Sequence, residues 1–165
     1  MGIFRVTRKI WLGLCIGLCL LSIVAGPAAA IALEDFTYAD LTNRSFVGLD
    51  LTGSSLAAAE ARDADFADAN LSKTILTKGS FYRAHMPRVN LTQSFADRVT
   101  FNGADLTNAI IVDAIMTSTT FVDAIIEGAD FSGTILDRYQ IAQMCKYADG
   151  INPVTGVATR DSLGC

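Results

Sequence analysis

At 165 residues the chain has room for one domain. It is acidic, with 17 Asp and Glu against 13 Lys and Arg. Such a balance repels nucleic acid and anionic lipid headgroups, keeps a protein soluble and says little else.

The first thirty residues differ in kind from the rest. Arg5, Arg8 and Lys9 form a basic start, an apolar run extends from Ile10 to Ala25, and Gly26, Pro27 and a string of alanines follow. This is the three-part plan of a secretory signal peptide. Residues 1–30 are expected to be cleaved, with cuts available before Ile31 or before Leu33. The rival is a retained membrane anchor, but the apolar core is shorter than the roughly 20 residues that a span prefers. Neither Cys15 nor Cys19 follows a small residue, as a lipoprotein anchor asks. Loss of Arg5, Arg8 and Lys9 takes the net charge from −4 to −7.

A period of five governs the next hundred residues. Steps of five from Phe36 to Leu136 meet 21 positions, and all but Ala61 and Ala96 are large and apolar. Two residues before most of them lies a small one, as at Ala39, Ala64, Ala69, Ala104 and Ala129, and only Glu34, Arg44 and Leu49 break the rule. The other positions are rich in Asp, Asn, Thr, Ser, Arg and Gly. On an α-helix this period scatters the large residues around the axis. On a flat strand it sends alternate repeats to opposite faces. What fits is a short extended step with two inward residues, then a bend that carries polar residues outward. Bends of one hand wind the chain into a coil, and stacked coils bury a continuous core.

The units Ala39-Asp40-Leu41, Ala69-Asn70-Leu71, Ala104-Asp105-Leu106 and Ala129-Asp130-Phe131 resemble the pentapeptide-repeat proteins over residues 34–138, within a repeat domain expected over 31–138. The resemblance implies an all-β solenoid, a right-handed quadrilateral β-helix with four repeats per coil and about five coils. In that frame Ala61 lies between Leu41 and Phe81, and Ala96 between Leu76 and Met116. Each leaves slack that a neighbour is expected to fill, with Phe95 a candidate to swing inward beside Ala96.

After Leu136, Asp137 stands where a helix cap belongs. Tyr139, Ile141, Ala142, Cys145 and Ala148 fall near helical spacing, which predicts a helix near 138–148, closed by Gly150 and Pro153. Residues 151–165 read as loop. An open solenoid end exposes apolar groups and unpaired backbone, so residues 139–165 are expected to form a helical cap. Cys145 and Cys165, an even pair in an exported chain, read as a disulfide. Without a nearby histidine they supply only half a zinc shell. The run from Cys145 to Pro153 and on from Thr159 to Cys165 also resembles the C-terminal segment of thylakoid-lumen pentapeptide-repeat proteins from cyanobacteria and chloroplasts. That implies the thylakoid lumen as the compartment, with the periplasm second.

No catalytic or cofactor-binding constellation stands out. His85 is the sole histidine, at an outward site. The glycosylation sequons at Asn43, Asn70 and Asn90 read as by-products of the repeat. Lys73, Lys78, Arg83, Arg88 and Arg98 form a solvated belt, not a patch. Asp63 and Asp65 are ordinary outward residues. The chain therefore reads as a non-enzyme with a structural or protein-interaction role, its partner unidentified but expected to be a membrane complex facing the lumen. An acidic DNA mimic that binds a topoisomerase is the alternative, and the signal peptide argues against it. With four sides per coil, residues twenty apart stack, and one outward column reads Asp35, Ser55, Ile75, Phe95, Ile115, Ile135. Ile75, Phe95, Ile115 and Ile135 are the candidate interaction stripe. The competing readings are a ladder that only stiffens the stack, or a stripe that the tail covers.

Overall fold

The computed structural model describes residues 34–165. The leader expected over residues 1–30 lies outside them. Residues 34–136 wind into a right-handed, four-sided β-helix. Parallel bridges join residues twenty apart, from Asp35 with Ser55 through Asp65 with His85 to Ile110 with Asp130, so each coil has four five-residue sides. Only the last pair of coils is regular enough for named strands, where β1 (Ile115–Met116) pairs in parallel with β2 (Ile135–Leu136).

One side shows why the repeat has its pattern. The Phe66 N–H donates to the His85 carbonyl at 2.7 Å, and the His85 N–H donates to the Ala64 carbonyl at 2.8 Å. The side ends in a turn closed by the Ala69 N–H on the Phe66 carbonyl at 3.0 Å. Its second corner residue, Asp68, has φ +59°, the left-handed conformation of a type II turn. From Tyr38 to Asp123, fifteen non-glycine residues hold this conformation at φ 54° to 61°. Each bears the Cβ strain of that region. The corner N–H offsets it by bonding to the next coil, as Asp68 does to the Pro87 carbonyl at 3.0 Å.

The Asp or Asn before the central residue has a local task. Asp65 accepts from the Ala67 N–H at 3.0 Å, Asn70 from Ser72 at 3.1 Å and Asp105 from Thr107 at 2.9 Å. These bonds satisfy the first corner N–H, which points away from both neighbouring coils. The repeat thus reads small, capping, large, then two corner residues.

The central residues fill the interior, with Phe66 and Phe81 fully buried and Phe121 nearly so. Phe46 stacks on Phe66 with ring centroids 4.7 Å apart, and Phe101 lies between Phe81 and Phe121 at 5.4 and 5.6 Å. Beside Ala61, the Phe66 and Phe81 rings tilt together at 5.6 Å. Gly79 makes room for Phe81, because a Cβ there would sit 3.0 Å from the ring. The inward swing expected of Phe95 beside Ala96 does not occur. Phe95 stays outward and 43% exposed. Its N–H bonds to Thr74 and its carbonyl to Leu76, which fixes the alternation of the strand and keeps the side chain out. The buried Thr119 reaches in from the coil above, donating its hydroxyl to the Ala96 carbonyl and accepting from the Val99 N–H. Thr134 bridges Ile111 and Ala114 in the same way.

The tail holds helix α1 (Arg138–Met144) and a second helix, α2 (Thr159–Leu163). The first is shorter than the expected 138–148, and the second lies in a stretch expected to be loop. Gly164 closes α2 in the left-handed conformation, and Leu163 buries against the core, so the segment has a reason to turn helical that local spacing did not show. Asp137 sits at the N-cap of α1, yet its carboxylate makes no cap bond and accepts from the Ser118 N–H at 2.8 Å. Cys145 and Cys165 form a disulfide with Cα atoms 5.6 Å apart, tying the chain end to the exit of α1.

Candidate interaction face

The five-residue period and the twenty-residue coil place Ile75, Phe95, Ile115 and Ile135 in one vertical file. Direct bridges join Ile75 to Phe95, Phe95 to Ile115 and Ile115 to Ile135. Their side chains are 47%, 43%, 37% and 55% exposed. The tail does not cover them. Its hydrogen bonds to the column go to Asn108, Ala109, Phe121, Ile126, Gly128 and Phe131, which lie on the other three sides or their corners.

The equivalent files on the other sides are mostly polar. Asp50 and Asn70 join at 3.1 Å, Glu60 and Ser80 at 3.0 Å, and His85 Nδ1 lies 3.4 Å from Asp105. Exposed apolar residues there, such as Val122 and Ile125, are not stacked in a file. The apolar file is therefore a property of one side. At the corner preceding it, the exposed Lys73 and Asp113 project, two coils apart. At the corner following it, Asp97 is held by the Thr117 hydroxyl at 2.6 Å and by Arg98 at 2.7 Å, which keep its carboxyl below the usual range.

The basic belt is partly neutralised from below. Arg83 grips Asp63 through two bonds of 2.8 and 2.7 Å, and Arg88 grips Asp68 through two of 2.6 Å. These hydrogen bonds hold both carboxyls below their ordinary values. Arg62 and Arg83 both lie over the Tyr82 ring, at 4.8 and 5.1 Å.

The tail meets the last coils through a few specific groups that the sequence did not single out. Asn152 is fully buried, and its amide nitrogen donates to the carbonyls of Asn108, Ala109 and Gly128 at 3.2, 3.2 and 2.9 Å. Its carbonyl accepts from the Val154 and Thr155 N–H groups. Gly150 passes so close that a Cβ there would lie 2.7 Å from the Gly128 nitrogen. The buried asparagine beside Pro153 is a signal only in retrospect, since its partners lie more than twenty residues away. A cleft of about 310 Å³ opens where α1 leans on Phe121, Val122 and Asp123, with Tyr139, Gln143 and Tyr147 on its helical wall. Burial, and then the charge of Asp123, push the Tyr147 phenol upward. Among the described residues no cluster of three metal-ligating side chains occurs, and no helix is long and apolar enough to cross a membrane.

The family model for Pentapeptide repeats matches residues 35–72, 64–103 and 100–138. Among curated proteins, the chloroplast thylakoid lumenal protein TL20.3 of Arabidopsis thaliana is 62% identical over 39 residues, 24% of this chain and 14% of that protein. The match thus spans about one seventh of the relative's length. A pentapeptide repeat protein from the Arabidopsis thaliana thylakoid lumen shares 34% identity with a TM-score of 0.56, over 76% of this chain and 88% of its own. A second, from Nostoc, shares 23% identity with a TM-score of 0.54, over 63% and 85%, and speaks for the fold alone. The two Arabidopsis relatives are proteins of the thylakoid lumen, and the lumen is the compartment they indicate for this chain.

Proposed function

Because the chain belongs to the pentapeptide-repeat family, we propose that it is a non-catalytic protein-interaction element of the thylakoid lumen, built to present one side of a stiff acidic column to a protein partner. The observation that carries this reading is the bare apolar file of Ile75, Phe95, Ile115 and Ile135. Contiguous apolar stripes on soluble surfaces mark interaction sites more often than not. A ladder needed only for stacking has polar solutions, and the other three sides of this column use them. In this reading residues 1–30 are the leader that delivers the protein, 31–138 the presenting column and 139–165 the lock on its C-terminal end. The DNA-mimic reading is not favoured, since Asp63, Asp68 and Asp97, acidic side chains of the middle coils, are each engaged by an arginine.

The test compares the wild type with the double variant Ile115→Ser, Ile135→Ser as bait on fractionated lumen and thylakoid membranes. Loss of specific capture in the variant, with its circular dichroism unchanged, is the expected result. Equal capture by both baits removes the stripe as the site.

A further inference from the structure

We propose that the occupant of the stripe is a second copy of this chain, docked face to face with its column running in the opposite direction; this rests on the stripe being an interaction site. Two copies facing each other across a two-fold axis perpendicular to the columns bring the same corner of each together, with the vertical order inverted. The axis has a natural level. Centred on Phe95, it sets Phe95 against Phe95 of the second copy and Ile75 against its Ile115. It also sets Lys73 against Asp113 of the second copy, twice by symmetry. Lys73 and Asp113 project from the corner preceding the stripe, one coil below and one coil above Phe95, and both are exposed. Neither is in an ion pair among the described residues. Their opposite charges at equal and opposite heights form a self-complementary pattern. The following corner adds no conflict, since Asp97 and Arg98 at the axis level are already paired and face their own images.

A parallel arrangement sets Lys73 against the opposite corner and loses both pairs. A half-step shift, with Phe95 opposite Ile115, sets Lys73 against Gly133 and Asp113 against Gln93. Charge thus selects one register of one orientation, while the apolar file supplies the contact. In this register Ile135 lies opposite Ser55 of the second copy, so Ile75, Phe95 and Ile115 supply the apolar contact, over two steps of about 4.8 Å, roughly 10 Å. One side of a column this tall buries less than the ~800 Å² per partner of a standard interface. The dimer is therefore weak and dependent on concentration, and in dilute solution the net negative charge keeps the copies apart.

The test is sedimentation equilibrium of the purified protein over a range of concentrations at low salt, with circular dichroism confirming the fold of each variant. The wild type is expected to dimerise reversibly and Phe95→Asp to remain monomeric. Lys73→Asp and Asp113→Lys should each weaken dimerisation by about tenfold, since each replaces two attractive contacts by two repulsive ones. An equimolar mixture of those two variants should recover wild-type affinity, because both pairs of the heterodimer are again of opposite sign. A wild type that stays monomeric overturns the dimer, and so does a mixture no tighter than its components. The capture experiment is independent of this outcome. A monomeric wild type whose serine double variant still loses capture leaves the interaction face standing and removes only the second copy from it.

Discussion

The column and its tail are held together by different kinds of interaction. In the column, most sides repeat the same backbone bonds, the same turn and the same inward pair, so most contacts have counterparts in the neighbouring coils. In the tail almost every contact occurs once. Asn152 bridges three carbonyls, the Ser162 hydroxyl accepts from the Phe131 N–H, Tyr147 donates to Phe121, and one disulfide closes the loop. Repetition distributes stability over neighbouring coils, as in other solenoids. A cap must match one terminal surface and depends on particular residues.

The sharpest way to break this contrast is to damage the column's interior. Phe66→Ala is expected to cost about 3–5 kcal/mol in a denaturant titration. The ring is fully buried between Phe46 and Phe81, so no outward rearrangement replaces it. A cost below about 1 kcal/mol would mean that the coils repack freely and that repetition means plasticity instead of rigidity.

Reduction of the Cys145–Cys165 bond is expected to remove stability on the order of 3 kcal/mol, concentrated in the tail. Hydrogen exchange should show the N–H groups of Cys145, Thr159 and Cys165 speeding up before those of Phe66 or Leu91. Simultaneous exchange in both regions would show that tail and column unfold as one unit. Asn152→Ala leaves the Asn108, Ala109 and Gly128 carbonyls without their side-chain donor and should cost about 2 kcal/mol. The same exchange experiment should place that loss in the tail and in the coil containing Gly128.

The smallest effect concerns acid. The Asp35, Asp40 and Asp50 carboxyls each accept from a threonine hydroxyl and N–H two residues on, and lie below their ordinary value. Burial raises the Asp130 carboxyl, but the Ser132 and Thr155 hydroxyls and the Ser132 N–H outweigh it, so it too is lowered. A carboxyl lowered in the folded state contributes stability that is fully present above its unfolded value, near 4, and is lost as pH falls through the folded value. Melting temperature should therefore be flat near neutrality and decline below about pH 4. Asp130→Asn keeps an acceptor for the Ser132 N–H and should make the decline shallower. An unchanged acid profile would show that the turn caps do not couple to folding.

Much of the column is legible in the amino-acid sequence because its rules are local. A large residue every fifth position, a small one two earlier and a capping Asp or Asn between them state the side, the corner and the alternation in and out. The exposed file at Ile75, Ile115 and Ile135 follows from a coil of twenty residues. Phe95 shows the limit of local reasoning. A gap at Ala96 invites it inward, but the bonds from Phe95 to Thr74 and Leu76 leave it no freedom to turn. Thr119, from the coil above, closes the turn after Ala96 through its hydroxyl, and nothing in the spacing distinguishes it from the other small residues at its site.

The period, the inward residues and the pairing of two cysteines are readable from the amino acids alone, since each depends on residues close in the chain or on composition. Tertiary structure alone decided the second tail helix, the role of Asn152 and the place of the Asp137 carboxylate. Each of these is governed by a surface assembled from several coils. Asn152 meets carbonyls 24 to 44 residues away, and α2 turns where Leu163 can bury. Asp137 leaves its own helix because the Ser118 N–H one coil below is the donor within reach. A cap is specified by the end that it covers, and that end exists only when the column has folded.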